Sequence, residues 1–205
     1  MKKIISWFGL VIGLAVVISG PSAARTDDKA AKPLVMFDFE DGLQGWVIPA
    51  WSLQSADYAG KSVQASAAFA SHGKQSLELT AALPGEDKWT AAYAEVEMHV
   101  TDWGVFSEVA ADVYLPEQAP RGLAARLIVT VGDQWQWTEQ NHPVKLVPGQ
   151  WVTLTANLTP NSMDWKFFLD ESFRRDVRKL GVRIESDKKP TYSGPVYIDQ
   201  IRLSP

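Results

Sequence analysis

Cysteine is absent from the 205 residues. A disulfide scaffold, a thiolate zinc site, a cysteine nucleophile and a lipid-anchored N-terminal cysteine are therefore excluded. Histidine is scarce: His72, His99 and His142 lie far apart, without the spacing of a helical metal-binding pair. No GxSxG turn, phosphate-binding glycine loop or dinucleotide fingerprint occurs. With 14 Gly and 12 Pro the chain is neither collagen-like nor low-complexity. Basic charge is also short. The 20 Lys and Arg face 24 Asp and Glu, a net charge of −4, which argues against nucleic acid or an anionic membrane as partner. Charged residues at 21% and hydrophobic ones at 46% are the composition of a folded globular chain.

One long uncharged run exists, Ile4 to Ile18, and it is shorter than the ~20 residues of a spanning helix. Lys2 and Lys3 precede it, Gly20 and Pro21 break it, and Ser22-Ala23-Ala24 follows as a small-x-small site. Residues 1–24 read as a secretory signal peptide cleaved after Ala24, with a membrane anchor as the alternative. Residues 25–32 (RTDDKAAK) read as a polar leader, and residues 33–205 as one domain. The expectation is a secreted or periplasmic monomer, not inserted in a membrane after cleavage.

From Pro33 on, apolar and polar residues alternate in short runs separated by Gly, Pro, Asn and Asp, which is the strand signature. The runs are 34–39, 63–69, 76–81, 92–100, 109–115, 125–131, 135–138, 151–158, 180–184 and 196–203. Gly132-Asp133 marks a hairpin turn, and Ser71-His72-Gly73-Lys74 joins the second and third runs. One segment breaks the period: Asp170–Lys179 carries Phe173 and Val177 four apart and reads as a short helix. About ten strands, one short helix and no βαβ alternation predict an all-β antiparallel sandwich.

The order of several motifs carries a resemblance. FDFEDGLQGW (residues 37–46) opens the domain, ASHGKQSLEL (70–79) follows, and DVYLP (112–116), PGQWVTLTANL (148–158) and LGVRI (180–184) come later. GPVYIDQIRL (194–203) closes it. Together they resemble the jelly-roll carbohydrate-binding modules of the group with families 4, 11, 16, 22 and 27, which have a galactose-binding-like fold. That resemblance implies a structural calcium. Its matching positions are Glu40, paired with Asp38 on the first strand, the backbone carbonyls of the Ser71–Lys74 turn, and Asp199 of the last strand. Asp38 and Glu40 alternate with Phe37 and Phe39, so both carboxylates are expected on one strand face. Carboxylates and carbonyls are the hard oxygens that calcium takes. The plainer reading is that Asp38, Glu40 and Asp199 are solvated strand-end acids.

Eight tryptophans follow the signal segment. Trp46 and Trp151 lie in strand-defining motifs and read as structural, whereas Trp103 and Trp165 fit either role. Trp89, Trp135 and Trp137 stand beside Tyr93, Glu97 and a run of Gln and Glu residues. Flat rings can cover the C–H faces of sugars while nearby polar groups bond the hydroxyls. The candidate carbohydrate-binding residues are thus Trp51, Trp89, Tyr93, Glu97, Trp135 and Trp137. The leading expectation is a non-catalytic protein that binds a mannan- or glucan-like polysaccharide or oligosaccharide. One alternative is a secreted polysaccharide hydrolase or lyase using the Glu95/Glu97/His99 face. Another is a structural sandwich that docks an envelope protein.

Overall fold

The computed structural model describes residues 32–167 and 169–205; the expected signal peptide (residues 1–24) and residues 25–31 of the expected leader lie outside them. The described chain runs β1 (Leu34–Phe37), α1 (Ala50–Leu53), β2 (Gly60–Ser66), β3 (Ser76–Leu83), β4 (Lys88–Glu97), β5 (Glu108–Leu115) and β6 (Leu123–Val131). It continues with β7 (Gln136–Glu139), β8 (Val144–Lys145), β9 (Gln150–Asn157), a 3-10 turn (Phe173–Arg175), β10 (Val177–Lys188) and β11 (Tyr192–Ser204).

Two antiparallel sheets form a jelly-roll sandwich. Sheet A has the order β2-β3-β11-β5-β9, with β1 also on β11; sheet B has the order β4-β10-β6-β7, with β8 also on β6. The period-two pattern explains the layers. Leu77, Leu79, Val113, Leu154, Val196 and Ile198 face inward from sheet A, and Ala94, Leu127, Val129, Leu180, Val182 and Ile184 from sheet B. Each apolar row is covered only by the other, so the alternation read in the sequence is the packing of one core. Trp46, Trp103 and Trp165 are buried in it. Trp151 is half-buried beside Tyr114 on the outside of sheet A. Gln140 ties the sheets at one edge: it accepts the Leu127 N–H at 2.8 Å and donates to Thr155 O at 2.7 Å.

Three local expectations are corrected. The α-helix is the single turn at Ala50–Leu53, and Asp170–Lys179 holds only the 3-10 turn before β10 starts at Val177. The Asp170 carboxylate accepts both the Ser172 and Phe173 N–H groups and so starts the turn, and the non-helical backbone at Asp176 (φ −136°) ends it. Lys179 is consequently a strand residue. Trp135 is not a strand residue: it lies in the β6–β7 turn with φ +52°, its N–H bonded to Gly132 O. The first strand stops at Phe37, and Phe39 takes φ +59°. Strand alternation therefore does not reach Glu40.

Candidate functional site

The outer face of sheet B carries the residues that alternate with the core rows: Tyr93, Glu95 and Glu97 of β4, Lys179, Gly181 and Arg183 of β10, Arg126 and Thr130 of β6, and Trp137 and Glu139 of β7. Register sets their neighbours. Glu97 stands opposite Lys179, Lys179 opposite Thr130, and Thr130 opposite Trp137. Tyr93 stands opposite Arg183, and Arg183 opposite Arg126.

The segment before β2 lies along the free edge of β4 through the Val47–Glu95 and Tyr58–Ala91 bridges. It brings α1 over this face, and α1 carries Trp51. The Trp51 ring lies 5.0 Å from Tyr58, 5.6 Å from Tyr93 and 5.8 Å from Trp137 between centroids. Tyr93 and Trp137 are 5.2 Å apart. Rings at such spacings support one another edge to face. Trp135 stands across from them, with Arg178 and Lys179 at 5.2 and 5.8 Å from its ring. The result is an open cleft of about 470 Å³ lined by Trp51, Tyr58, Trp135, Trp137, Thr130 and the charged Glu95, Lys179 and Arg183. Trp51 and Trp135 keep 43% and 52% of their surface exposed, far more than a packing role requires.

The cleft floor is charged but internally paired. Glu95 is buried; Tyr93 Oη donates to its Oε2 at 3.0 Å and Lys179 Nζ to its Oε1 at 2.7 Å. Burial, followed by the Glu95 charge, pushes the Tyr93 hydroxyl well above its ordinary range, so it remains a donor. Arg183 Nη2 pairs with Glu139 Oε2 at 2.6 Å and Glu185 Oε1 at 2.7 Å, and its guanidinium lies 5.2 Å over Trp89. Arg126 bridges the same two carboxylates at 3.1 Å each, and Lys166 adds a further cation to Glu139. Burial raises the Glu139 pKa, but the Lys166 hydrogen bond and the Arg183 and Arg126 charges outweigh it and hold the carboxyl below its usual range. Such a network fixes side-chain direction, because each buried charge is costly without its partners.

Of the six expected carbohydrate-binding residues, Trp51, Trp135 and Trp137 line the cleft, and Tyr93 is buried against Trp51 and Trp137 without lining it. Trp89 flanks it, 6.0 Å from Tyr58 and under Arg183. Glu97 lies outside it, exposed, in an adjoining concavity with His99. Glu95, Glu97 and His99 do not act as one unit, since Glu95 is engaged by Tyr93 and Lys179. Sequence reading missed Tyr58, Thr130, Lys179 and Arg183. The alternation of Lys179 and Arg183 with Leu180 and Val182 would have revealed two of them, had the segment before Leu180 been read as strand.

The expected calcium positions meet at the β2–β3 loop on sheet A. Asp199 is fully buried and sits at a register shift of β11 against β5, which re-aims it. Its Oδ2 accepts the Ser71 and His72 N–H groups at 2.8 and 3.1 Å and the Ser71 hydroxyl at 3.0 Å. Glu40 Oε1 accepts the Lys74 and Gln75 N–H groups at 2.7 and 2.9 Å, which lowers its pKa. Gly73, at φ +69°, leaves space that a Cβ would take from Glu40. Asp38 turns away: its Oδ1 accepts the Glu40 N–H at 3.3 Å and Gln44 Nε2 at 3.0 Å. Among the described residues no three acidic or histidine side chains form a metal-holding group. Buried Asp199 has no ion-pair partner among them, but its Oδ1 accepts the Gln200 N–H at 2.7 Å, and the Ser71 hydroxyl that reaches its Oδ2 also lies 3.1 Å from Asp112 Oδ2. Carboxylate, hydroxyl and carbonyl oxygens are the donor type that calcium takes, and Glu40, Ser71 and Asp199 are the side chains that would hold it, with loop carbonyls completing the set.

Comparison with known proteins follows the same lines. A search of curated protein sequences finds no match. Among solved structures, the chain is similar to Caldicellulosiruptor saccharolyticus CBM27-1 in complex with mannohexaose, at 17% identity and TM-score 0.59, covering 85% of this chain and 98% of that one. It is similar to CBM28, a carbohydrate-binding module specific for non-crystalline cellulose, at 19% identity and TM-score 0.60, covering 86% and 96%. The CBM22-1 xylan-binding domain of Paenibacillus barcinonensis Xyn10C matches at 18% identity and TM-score 0.52, covering 86% and 96%. At these identities the likeness is one of fold. Residues 37–200 match the family model described as mannanase, galactose-binding domain-like, and the chain belongs to that family.

Proposed function

We propose that this chain is a non-catalytic carbohydrate-binding domain that holds a β-linked glycan chain, of mannan or glucan type, in the cleft of sheet B. The observation that carries the reading is the convergence of Trp51, Trp135 and Trp137 from a helix, a turn and a strand on one concavity, with two of the rings about half exposed. Open rings offer flat apolar area to sugar C–H faces, and water is released from both when they meet. Thr130, Lys179 and Arg183 border the rings and supply hydroxyl and cationic donors for sugar hydroxyls. Glu95, Glu139 and Glu185 hold the two cations in place, so the surface is formed before the ligand arrives.

A relative of the same fold is described with mannohexaose, which supports a mannan-type chain as the first ligand to try. Binding by a few rings on a preformed, open surface is expected at roughly 10–100 µM, about −5 to −7 kcal/mol. The engagement of Glu95 by Tyr93 and Lys179 argues against a free carboxylate pair for glycosidic cleavage. Calcium held by Glu40, Ser71, Asp199 and loop carbonyls would tie the β2–β3 loop to β11 and stiffen the side of the sandwich remote from the cleft. The N-terminal 24 residues support export to the periplasm or beyond. Affinity electrophoresis against mannan, glucan and xylan, with a parallel assay for new reducing ends, tests the binding reading. Retardation without cleavage is expected; cleavage would make the protein an enzyme.

A further inference from the structure

We propose that the glycan site does not end at the aromatic cleft. It continues over the Glu95–Lys179 pair into a second compartment, where Glu97 and His99 bond the hydroxyls of further sugar units of the same chain. This rests on the reading of the cleft as a glycan site.

Two concavities share a wall. The aromatic cleft and an adjoining one of about 310 Å³ are both lined by Glu95 and Lys179. Gln44, Val47, Glu97 and His99 line the second. One register row crosses both: Trp137, Thr130, Lys179 and Glu97 stand directly opposite one another on four adjacent strands. Four strands span roughly 14 Å at the usual ~4.8 Å spacing, a path for a short extended oligosaccharide running across the sheet. The row changes character along its length, from an aromatic ring at Trp137 to a carboxylate at Glu97.

Glu97 is free to take that role. Its cross-strand partner is Lys179, yet the Lys179 ammonium goes to Glu95 at 2.7 Å. Glu97 has no ion-pair partner among the described residues, and both Glu97 and His99 are exposed. No tryptophan or tyrosine lines the second compartment, so hydroxyl bonds to Glu97 and His99, beside the small apolar surface of Val47, recognise the sugar there. Such bonds reward position and count more than hydrophobic area, so the compartment registers chain length and hydroxyl orientation.

The test is calorimetry with β-1,4-linked manno- and gluco-oligosaccharides of three and six units, using wild type and the Glu97→Ala/His99→Ala double variant. The wild type is expected to bind the better hexasaccharide about tenfold more tightly than the trisaccharide, as one or two added hydrogen bonds allow. The double variant should lose most of that gain while holding the trisaccharide within about twofold, with an unchanged melting temperature. If the variant keeps the wild-type ratio, or loses both lengths equally, the second compartment is not a subsite. If wild type binds both lengths equally, the cleft reading stands and this inference falls. If wild type binds neither series nor any polysaccharide, the cleft reading itself has failed.

Discussion

The ring of Tyr93 lies across the backbone of Gly181: a Cβ built on Gly181 would stand 2.5 Å from Tyr93 Cζ. The two residues are on neighbouring strands, β4 and β10. The glycine lets the tyrosine lie down on the sheet rather than stand on it. Its hydroxyl then reaches Glu95, and its ring supports Trp51 and Trp137 from below. The shape of the cleft depends on this one missing methyl group.

Gly181→Ala is therefore expected to lift Tyr93 and the two tryptophans together. Overpacking of this kind costs roughly 1–3 kcal/mol, a few degrees in melting temperature for a domain of this size. Glycan affinity should fall more than the melting shift suggests, at least tenfold. A double variant with Tyr93→Ala should recover part of the stability and none of the binding. Differential scanning calorimetry and titration on the same samples check this.

Removing one exposed ring should separate binding from folding. Trp51→Ala and Trp135→Ala truncate half-exposed side chains, so stability should change by under about 1 kcal/mol. Binding should weaken about thirtyfold or more in Trp51→Ala, because aromatic anchors carry a large share of an interface. Trp137→Ala should behave alike, with a somewhat larger melting shift because Trp137 is half-buried.

The pH response follows from Glu139. Its folded pKa is depressed below the ordinary 4.5, burial being outweighed by Lys166, Arg183 and Arg126. A depressed carboxyl pKa contributes stability that is present above the unfolded value and lost as pH falls through the folded one. Melting temperature should thus hold down to about pH 4.5 and decline below it through this group, together with glycan binding, since the same network holds Arg183. Glu139→Gln at pH 7 should cost about 3–5 kcal/mol, the usual consequence of breaking a buried ion pair from one side. Its melting curve should also flatten with pH below 4.5.

Calcium should act on stability and hardly on affinity, because Asp199 lies on sheet A and the cleft on sheet B. At metal concentrations near 100 times Kd, linkage adds about 2.7 kcal/mol. A chelator should lower the melting temperature and calcium restore it. Asp199→Asn should abolish the response, and a chelator-insensitive wild type with no bound metal would remove calcium from the account.

The sandwich was legible in the sequence because period-two alternation is written residue by residue along β3, β5, β6 and β10. The buried and exposed tryptophans were harder, since a ring at a strand position fits either face. The motif around Trp46 marks it as structural, and it is buried, whereas the sequence around Trp165 fits either role and the ring is buried. The site was legible only in part. Trp51 and Tyr58 precede β2 and reach the cleft only because that segment lies along β4, a tertiary fact with no local signature. The Phe173–Val177 spacing suggests a helix and so hides Lys179, whereas the turn ends at Asp176, whose backbone leaves helical geometry (φ −136°), and the Val177 N–H goes to Thr101 O. The sequence pattern puts Trp135 on a strand, whereas it reaches the cleft from a left-handed turn, a backbone geometry that apolar alternation does not encode.

The central claim is that Trp51, Trp135 and Trp137 form a glycan-binding surface. Its most direct test is affinity electrophoresis of the wild type and the Trp51→Ala/Trp137→Ala double variant through gels containing β-mannan or β-glucan, with circular dichroism on both proteins. The account predicts that at least one polysaccharide retards the wild type, and that the folded double variant runs as in a blank gel. A folded double variant retarded as strongly as the wild type would contradict it.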